Sequence, residues 1–315
     1  MVGMLAVDDW TQLMRQGRFG DAWKLSDAAL AHPRGDPRST PRHLQRIWNG
    51  AALAGRRVLV RCYHGLGDTI QFVRYAPMLE DALEVTFWVQ PQLMQLLQGL
   101  EGVDRLLPLH DGSPDIAYDV DVEIMELPHA FRTTLETIPA RLPDLSAIPV
   151  DLPASAQWRV GLAWQAGDWD RARSIPFSAA SRLLGVENVA YFPLLPRLAA
   201  VEAAMFPEAV PADSIMKLAD LVSALDLVIT VDTLVAHLAG ALGVRTWLLL
   251  RTDPDWRWML DRTDTPWYPA TTLYRQTRPG DWETVIARVK HDLWSLARRG
   301  LDEKRQAAAP CVICS

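Results

Sequence analysis

Two stretches of the chain hold the residue types that group-transfer chemistry needs. The first is CYHGLGDTIQ, residues 62–71, in which Gly65 and Gly67 precede Asp68. A run of β-formers from Val58 to Tyr63 leads into this turn, and a helix-like stretch follows it. Glycines let a backbone approach a ligand, and the helix start behind them offers unpaired N–H groups. Asp68 then has two readings. Aspartate is a favoured helix cap, and a carboxylate in a cleft can take the proton of an acceptor hydroxyl as a general base. A nicotinamide oxidoreductase fits poorly, because Ile70 stands where G-x-G-x-x-G needs its third glycine.

The second stretch is DLVITVDTLVAHLAGALG, residues 226–243. A strand runs straight into Asp232 and Thr233, and a helix then carries His237. The helix N-terminus suits a phosphate, and the Thr233 hydroxyl could add a hydrogen bond. Asp232 would repel a phosphate in direct contact and suits a neutral hydroxyl, such as that of a sugar. His237 follows Thr233 by four residues and faces the same side. An ordinary β–α unit, with Asp232 as cap and His237 in the core, fits these residues equally well. Between the preceding strand and helix, QAGDWDRARSIPF (165–177) places Arg171 and Arg173 at a strand's carboxyl end. Arginine forks match diphosphates, although isolated arginines more often form surface ion pairs.

These residues need a scaffold, and the rest of the sequence supplies one. From residue 56 strand-like and helix-like segments alternate: strands 56–63, 84–90 and 103–109, with helices 69–83 and 91–100. A Pro-, Leu- and Ala-rich connection at 139–156 follows. A second series has strands 158–164, 190–195, 226–231 and 245–250, with helices 177–185, 214–224 and 233–242. The pattern predicts α/β units with parallel sheets covered by helices. Such sheets bind ligands beyond the carboxyl ends of their strands. The expected organisation is a helical hairpin and linker (1–45), a first Rossmann-like domain (46–150), a second (151–280), a terminal helix (281–308) and a Cys-containing tail (309–315). The hairpin resembles a single tetratricopeptide unit and must cover its apolar face on the chain or on a partner.

Bulk properties exclude several classes. The chain has 315 residues, 49% of them hydrophobic, and a formal net charge of −6. That charge argues against nucleic acid as a partner and against a polybasic membrane anchor. No apolar run is long enough to span a bilayer, and the start lacks the features of a signal peptide. A cytoplasmic location is expected. Three cysteines, two of them at Cys311 and Cys314, do not make a disulfide framework. Asp119-Val120-Asp121 reads as an alternating strand rather than a metal-binding D-x-D. No Cys/His set completes a metal site, so no metal is expected. The tryptophans at 256, 258 and 267 read as packing residues.

Taken together, RRVLVRCYHGLGDTIQFVRYAPML (56–79), VGLAWQAGDWDRARSIPF (160–177), ALDLVITVDTLVAHLAGALG (224–243) and DPDWRWMLDRTDTPWYP (253–269) resemble glycosyltransferase family 9, the heptosyltransferase-like enzymes. The hairpin at 10–31 and IWNGAALAG (47–55) fit its tetratricopeptide-associated bacterial subset. The resemblance covers about residues 10–295. It implies a GT-B fold, two facing Rossmann-like domains with the donor held mainly by the second. It also implies metal-independent, inverting transfer of a sugar, a heptose among the candidates. No cofactor is implied beyond the nucleotide-diphosphate sugar, with ADP the expected nucleotide. The acceptor, a glycan or a protein or peptide, is open. By resemblance Asp68 matches the general base, Asp232-Thr233-Leu234 the donor-binding turn with His237 in the same motif, and Arg171 and Arg173 lie where the family places a basic donor-phosphate ligand. A non-catalytic adaptor that kept the fold is the alternative.

Overall fold

The computed structural model describes residues 2–31, 48, 50–152 and 158–308. The linker expected from residue 32 to 43 and the tail with Cys311 and Cys314 lie outside them. The chain begins with helices α1 (Val2–Arg15) and α2 (Phe19–Ala31). They form the expected hairpin, and its aromatic residues pack on the rest of the chain. Trp10 meets Trp256 edge-on at 5.7 Å between ring centroids, and Phe19 stacks on Trp267 at 6.3 Å. Trp23 donates its indole N–H to the Thr133 carbonyl at 2.7 Å. Arg15 reaches the Pro254 carbonyl at 2.8 Å and the Asp253 carboxylate at 2.7 Å. The hairpin therefore buttresses residues 253–267.

The first sheet comprises β1 (Arg57–Arg61), β2 (Glu84–Val89), β3 (Arg105–Pro108) and β4 (Val120–Glu123), all parallel, in the order β3-β2-β1-β4. Helices α3 (Leu66–Phe72) and α4 (Leu127–Ala130) follow β1 and β4. The helix expected to run to residue 83 stops being α-helical at Phe72 and tightens into a 3₁₀ turn over Val73–Leu79. Pro77 lies within that turn and has no N–H to continue an α ladder. The helix expected over 91–100 is reduced to a short 3₁₀ turn, Pro91–Leu93, and further turns.

The second sheet holds β5 (Trp158–Ala163), β6 (Val189–Pro193), β7 (Leu227–Val231), β8 (Thr246–Leu250) and β9 (Thr271–Arg275), again all parallel, in the order β6-β5-β7-β8-β9. Strand β9 was not anticipated from the sequence. Helices α5 (Phe177–Ala180), α6 (Ala200–Ala203), α7 (Ile215–Ser223) and α8 (Leu234–Ala241) connect the strands. The long α9 (Trp282–Ala308) lays Val285, Ile286, Val289 and Leu293 on this unit's core, all buried. Strands β7 and β8 are buried at every residue, as both-sides-covered parallel strands must be.

In each sheet the strand order reverses beside the first strand, between β1 and β4 and between β5 and β7. Ligand crevices of open α/β sheets lie beyond such points. Asp68 follows β1, while Arg173 and Asp232 follow β5 and β7. Both series of candidate residues thus sit where topology opens a crevice.

Of the D-x-D segment, Asp119 is exposed just before β4 and pairs with Arg57, while Val120 and Asp121 lie within the strand. Asp121 and Glu123 are buried beside Arg61 of β1, which pairs with Asp121 and lies 3.7 Å from Glu123 Oε2. Burial pushes the Glu123 carboxyl up to about 8 despite the pull of Arg61.

Candidate functional site

The site is assembled from the ends of the two sheets. Gly65 is the N-cap of α3 with an ordinary extended φ of −66°. Asp68 is the third helical residue, and its Oδ2 accepts the Gly65 N–H at 2.9 Å. The capping role and a place in the cleft therefore coexist: the side chain remains 24% exposed. Gly67 does not cradle a ligand. A Cβ there would lie 2.7 Å from His237 Cδ2 and 3.5 Å from Leu234 Cα, so its missing side chain lets α3 pack directly on α8. Leu234, the first residue of α8, is half-buried in this contact.

Arg257 joins the two units. It lies on a 3₁₀ turn, Trp256–Trp258, whose N-cap Asp255 accepts the Arg257 N–H. Its Nη2 donates to Asp68 Oδ1 at 2.5 Å, its Nε to Gln71 Oε1 at 2.7 Å and its Nη1 to Asp255 Oδ1 at 2.8 Å. The guanidinium also lies 4.9 Å from the Trp256 ring centroid and 5.4 Å from that of Phe72. Burial opposes its charge, but Asp255 and Asp68 more than restore it and raise its pKa.

His237 is packed in the core. Its Nδ1 lies 3.0 Å from the Tyr268 hydroxyl, and its ring stacks on Trp258 at 5.4 Å. Burial, followed by the nearby Arg257 charge, pushes its pKa down to about 4, so it is neutral near pH 7. Thr233, not Asp232, caps α8: its hydroxyl accepts the Val235 N–H at 3.2 Å. Asp232 is buried, which raises its carboxyl to about 6 against the pull of Arg173. Arg173 Nη1 stands 3.7 Å from Asp232 Oδ2. Arg173, Asp232, Arg251 and Asp255 line one small cavity with room for about a water molecule. Arg171 is exposed and does not line it. The structure thus brings together Asp232, Thr233 and Arg173 on one side and Asp68, Gly67 and His237 on the other, with Arg257 between them.

Searches for related proteins fit this architecture. No protein-family profile matches the chain. Protein FlbA of Caulobacter vibrioides is 24% identical over 322 residues, covering 89% of this chain and 53% of that protein. The chain thus spans about half the length of this relative. A glycosyltransferase of family 9 from Veillonella parvula superposes with a TM-score of 0.53 at 12% identity, over 81% of this chain and all of that one. The Escherichia coli heptosyltransferase WaaC, solved with ADP-2-deoxy-2-fluoro heptose, gives 0.52 at 14% identity, over 76% and 100%. The E. coli ADP-heptose lps heptosyltransferase II gives 0.52 at 14%, over 79% and 99%. The fold is GT-B.

Within this GT-B frame, sequence reasoning missed Arg257, Tyr268, Gln71, Asp170 and Arg251. The 253–269 stretch drew notice for its tryptophans, and these do pack: Trp258 and Trp267 are buried and Trp256 is half-buried. Arg257 had one available signal, an arginine flanked by two tryptophans just after Asp255. Among the described residues no helix is long and apolar enough to cross a membrane, and no group of three or more His, Cys, Asp or Glu is placed to hold a metal ion.

Proposed function

We propose that the protein transfers a glycosyl group, a heptose being one candidate, from a nucleoside-diphosphate sugar to a hydroxyl of a glycan or peptide acceptor. The observation that carries this reading is the set of charged groups that spans the carboxyl ends of both sheets: Asp68 pairs with Arg257, Arg257 with Asp255, and Asp255 lines one small cavity with Asp232 and Arg173. The Asp68 carboxylate takes the acceptor proton while the acceptor oxygen bonds to the anomeric carbon. The bond from that carbon to the diphosphate oxygen breaks, and the diphosphate leaves with the electron pair. Attack opposite the leaving group inverts the anomeric centre. Its transition state is oxocarbenium-like, so the departing negative charge needs fixed positive groups. Arg173, Arg251 and the N-terminus of α8 supply them without a metal ion. Each Asp68 oxygen has one protein donor and keeps a lone pair for the acceptor. The ADP-linked heptose analogue held by WaaC supports ADP as the nucleotide.

Calorimetric titration with ADP, UDP and GDP tests the donor half. Saturable ADP binding, lost in an Arg173→Ala/Thr233→Ala variant, is the expected result. Failure of every nucleotide to bind at millimolar concentration overturns the reading.

One observation favours a second reading, a non-catalytic GT-B binding module: the cavity beside Asp232 admits little beyond a water molecule. In that case the Asp68–Arg257 contact serves only to hold the two units together.

A further inference from the structure

Asp170 stands on the irregular loop between β5 and α5, where its own φ/ψ of −147°/89° breaks a run of 3₁₀ turns. Its Oδ1 accepts the Ala172 N–H at 3.1 Å. Its Oδ2 lies 2.9 Å from Arg251 Nη1 and 3.9 Å from Arg173 Nε. These two arginines come from different places, Arg173 from the same loop and Arg251 from the end of β8. They converge on a single carboxylate oxygen, and both line the cavity beside Asp232. An anionic oxygen shared between two guanidinium groups is the arrangement that a phosphate oxygen adopts on an arginine pair.

Charge decides what happens when a diphosphate enters. Three arginines, Arg173, Arg251 and Arg257, already face Asp170, Asp232, Asp255 and Asp68. A polyanion added to that set meets uncompensated like charge unless a carboxylate withdraws. Asp68 and Asp255 are held by Arg257, and Asp232 is buried at the end of β7. Among the described residues, Asp170 is the one whose side chain contacts only its own loop and the two arginines. We propose that Asp170 is an internal occupant of a phosphate site formed by Arg173 and Arg251, displaced when a nucleotide's diphosphate binds. The inference rests on the donor reading above and adds to it a competing carboxylate and a second arginine. The carboxylate keeps both guanidinium groups aimed at the cavity and sets a threshold against weakly charged ligands. A phosphate offers a separate oxygen to each arginine, where Asp170 divides a single oxygen between them.

The test is titration of inorganic pyrophosphate, and separately of ADP, into the 315-residue wild type, Asp170→Asn, Asp170→Ser and Arg251→Gln, with folding checked by circular dichroism. Removal of a half-exposed competing charge is expected to tighten pyrophosphate binding about three- to tenfold in both Asp170 variants. Arg251→Gln is expected to weaken it. If wild type and both Asp170 variants bind pyrophosphate and ADP equally well, Asp170 is no competitor, and the donor reading stands without it. If none of the proteins binds either ligand, the donor reading and this inference fall together.

Discussion

Arg257 Nη2 lies 2.5 Å from Asp68 Oδ1, so a buried arginine of the second unit grips the half-buried carboxylate of the first. The same guanidinium serves Gln71 and Asp255. A lysine ammonium has no planar fork and cannot address three separated acceptors at once. Arg257→Lys is therefore expected to leave buried polar groups unpaired and to lower unfolding stability by about 3 kcal/mol. Chemical denaturation of wild type and variant measures it, and a loss below about 0.5 kcal/mol, the range of ordinary surface substitutions, would contradict the clasp.

Asp68→Asn separates the cap from the base. The asparagine carbonyl still accepts the Gly65 N–H, so α3 keeps its cap. It has no basic oxygen, and its amide N–H₂ faces Arg257 Nη2 where a carboxylate oxygen had accepted. Sugar transfer is therefore expected to fall by about 10²- to 10⁴-fold and the melting temperature to drop with the lost ion pair, while nucleotide affinity changes little. Transfer that survives in Asp68→Asn at the wild-type rate would assign the residue to capping alone.

Much of this site was legible where the chemistry is local. Asp68, Asp232 and Thr233 all sit within a few residues of a strand end, and strand, turn and helix follow one another in the sequence. Arg257 was not legible, because its partner Asp68 is 189 residues away and only the packing of two separate sheets brings them together. Gly67 carried a local signal with the wrong meaning. Its glycine suggests ligand approach, yet the atom that approaches is His237 Cδ2 of another helix. Helix lengths were overestimated for a similar reason: the apolar spacing over 69–83 continues through a turn that Pro77 prevents from being α-helical. Strand β9 escaped notice because its sequence, TTLYR, follows a Trp- and Pro-rich loop and has no helix leading into it.

Gly67→Ala tests the close approach of α3 to α8. Its backbone needs no unusual φ, so the effect arises from the added methyl alone. That methyl would meet the His237 ring at 2.7 Å and the Leu234 backbone at 3.5 Å. The two helices must separate, at an expected cost of about 1–3 kcal/mol. A double variant with His237→Ala should recover part of this loss, because the nearest atoms are removed. Equal stabilities of wild type and Gly67→Ala would show that the interface yields freely.

Glu123 gives the chain a pH dependence of defined sign. Its carboxyl rises from 4.5 in the unfolded chain to about 8 in the fold, chiefly through burial. Between those values the native state retains a proton that the unfolded state has lost. Stability therefore falls as pH increases through this window, by at most about 1.4 kcal/mol per pH unit. His237 acts in the opposite direction. Its value falls from 6.5 to about 4, so its contribution is lost on acidification within that range and is complete above it. Asp232, raised from 3.8 to about 6, contributes below pH 6 and loses stability as pH rises to that point. From about pH 7.5 to 8 both of those groups are almost fully deprotonated in both states, and the Glu123 slope stands clear of them. Glu123→Gln, which keeps the shape and the acceptor for the Tyr63 N–H, is expected to flatten the profile there. Melting temperatures recorded across that interval decide the matter: an unchanged slope in Glu123→Gln would assign the alkaline loss to a different group.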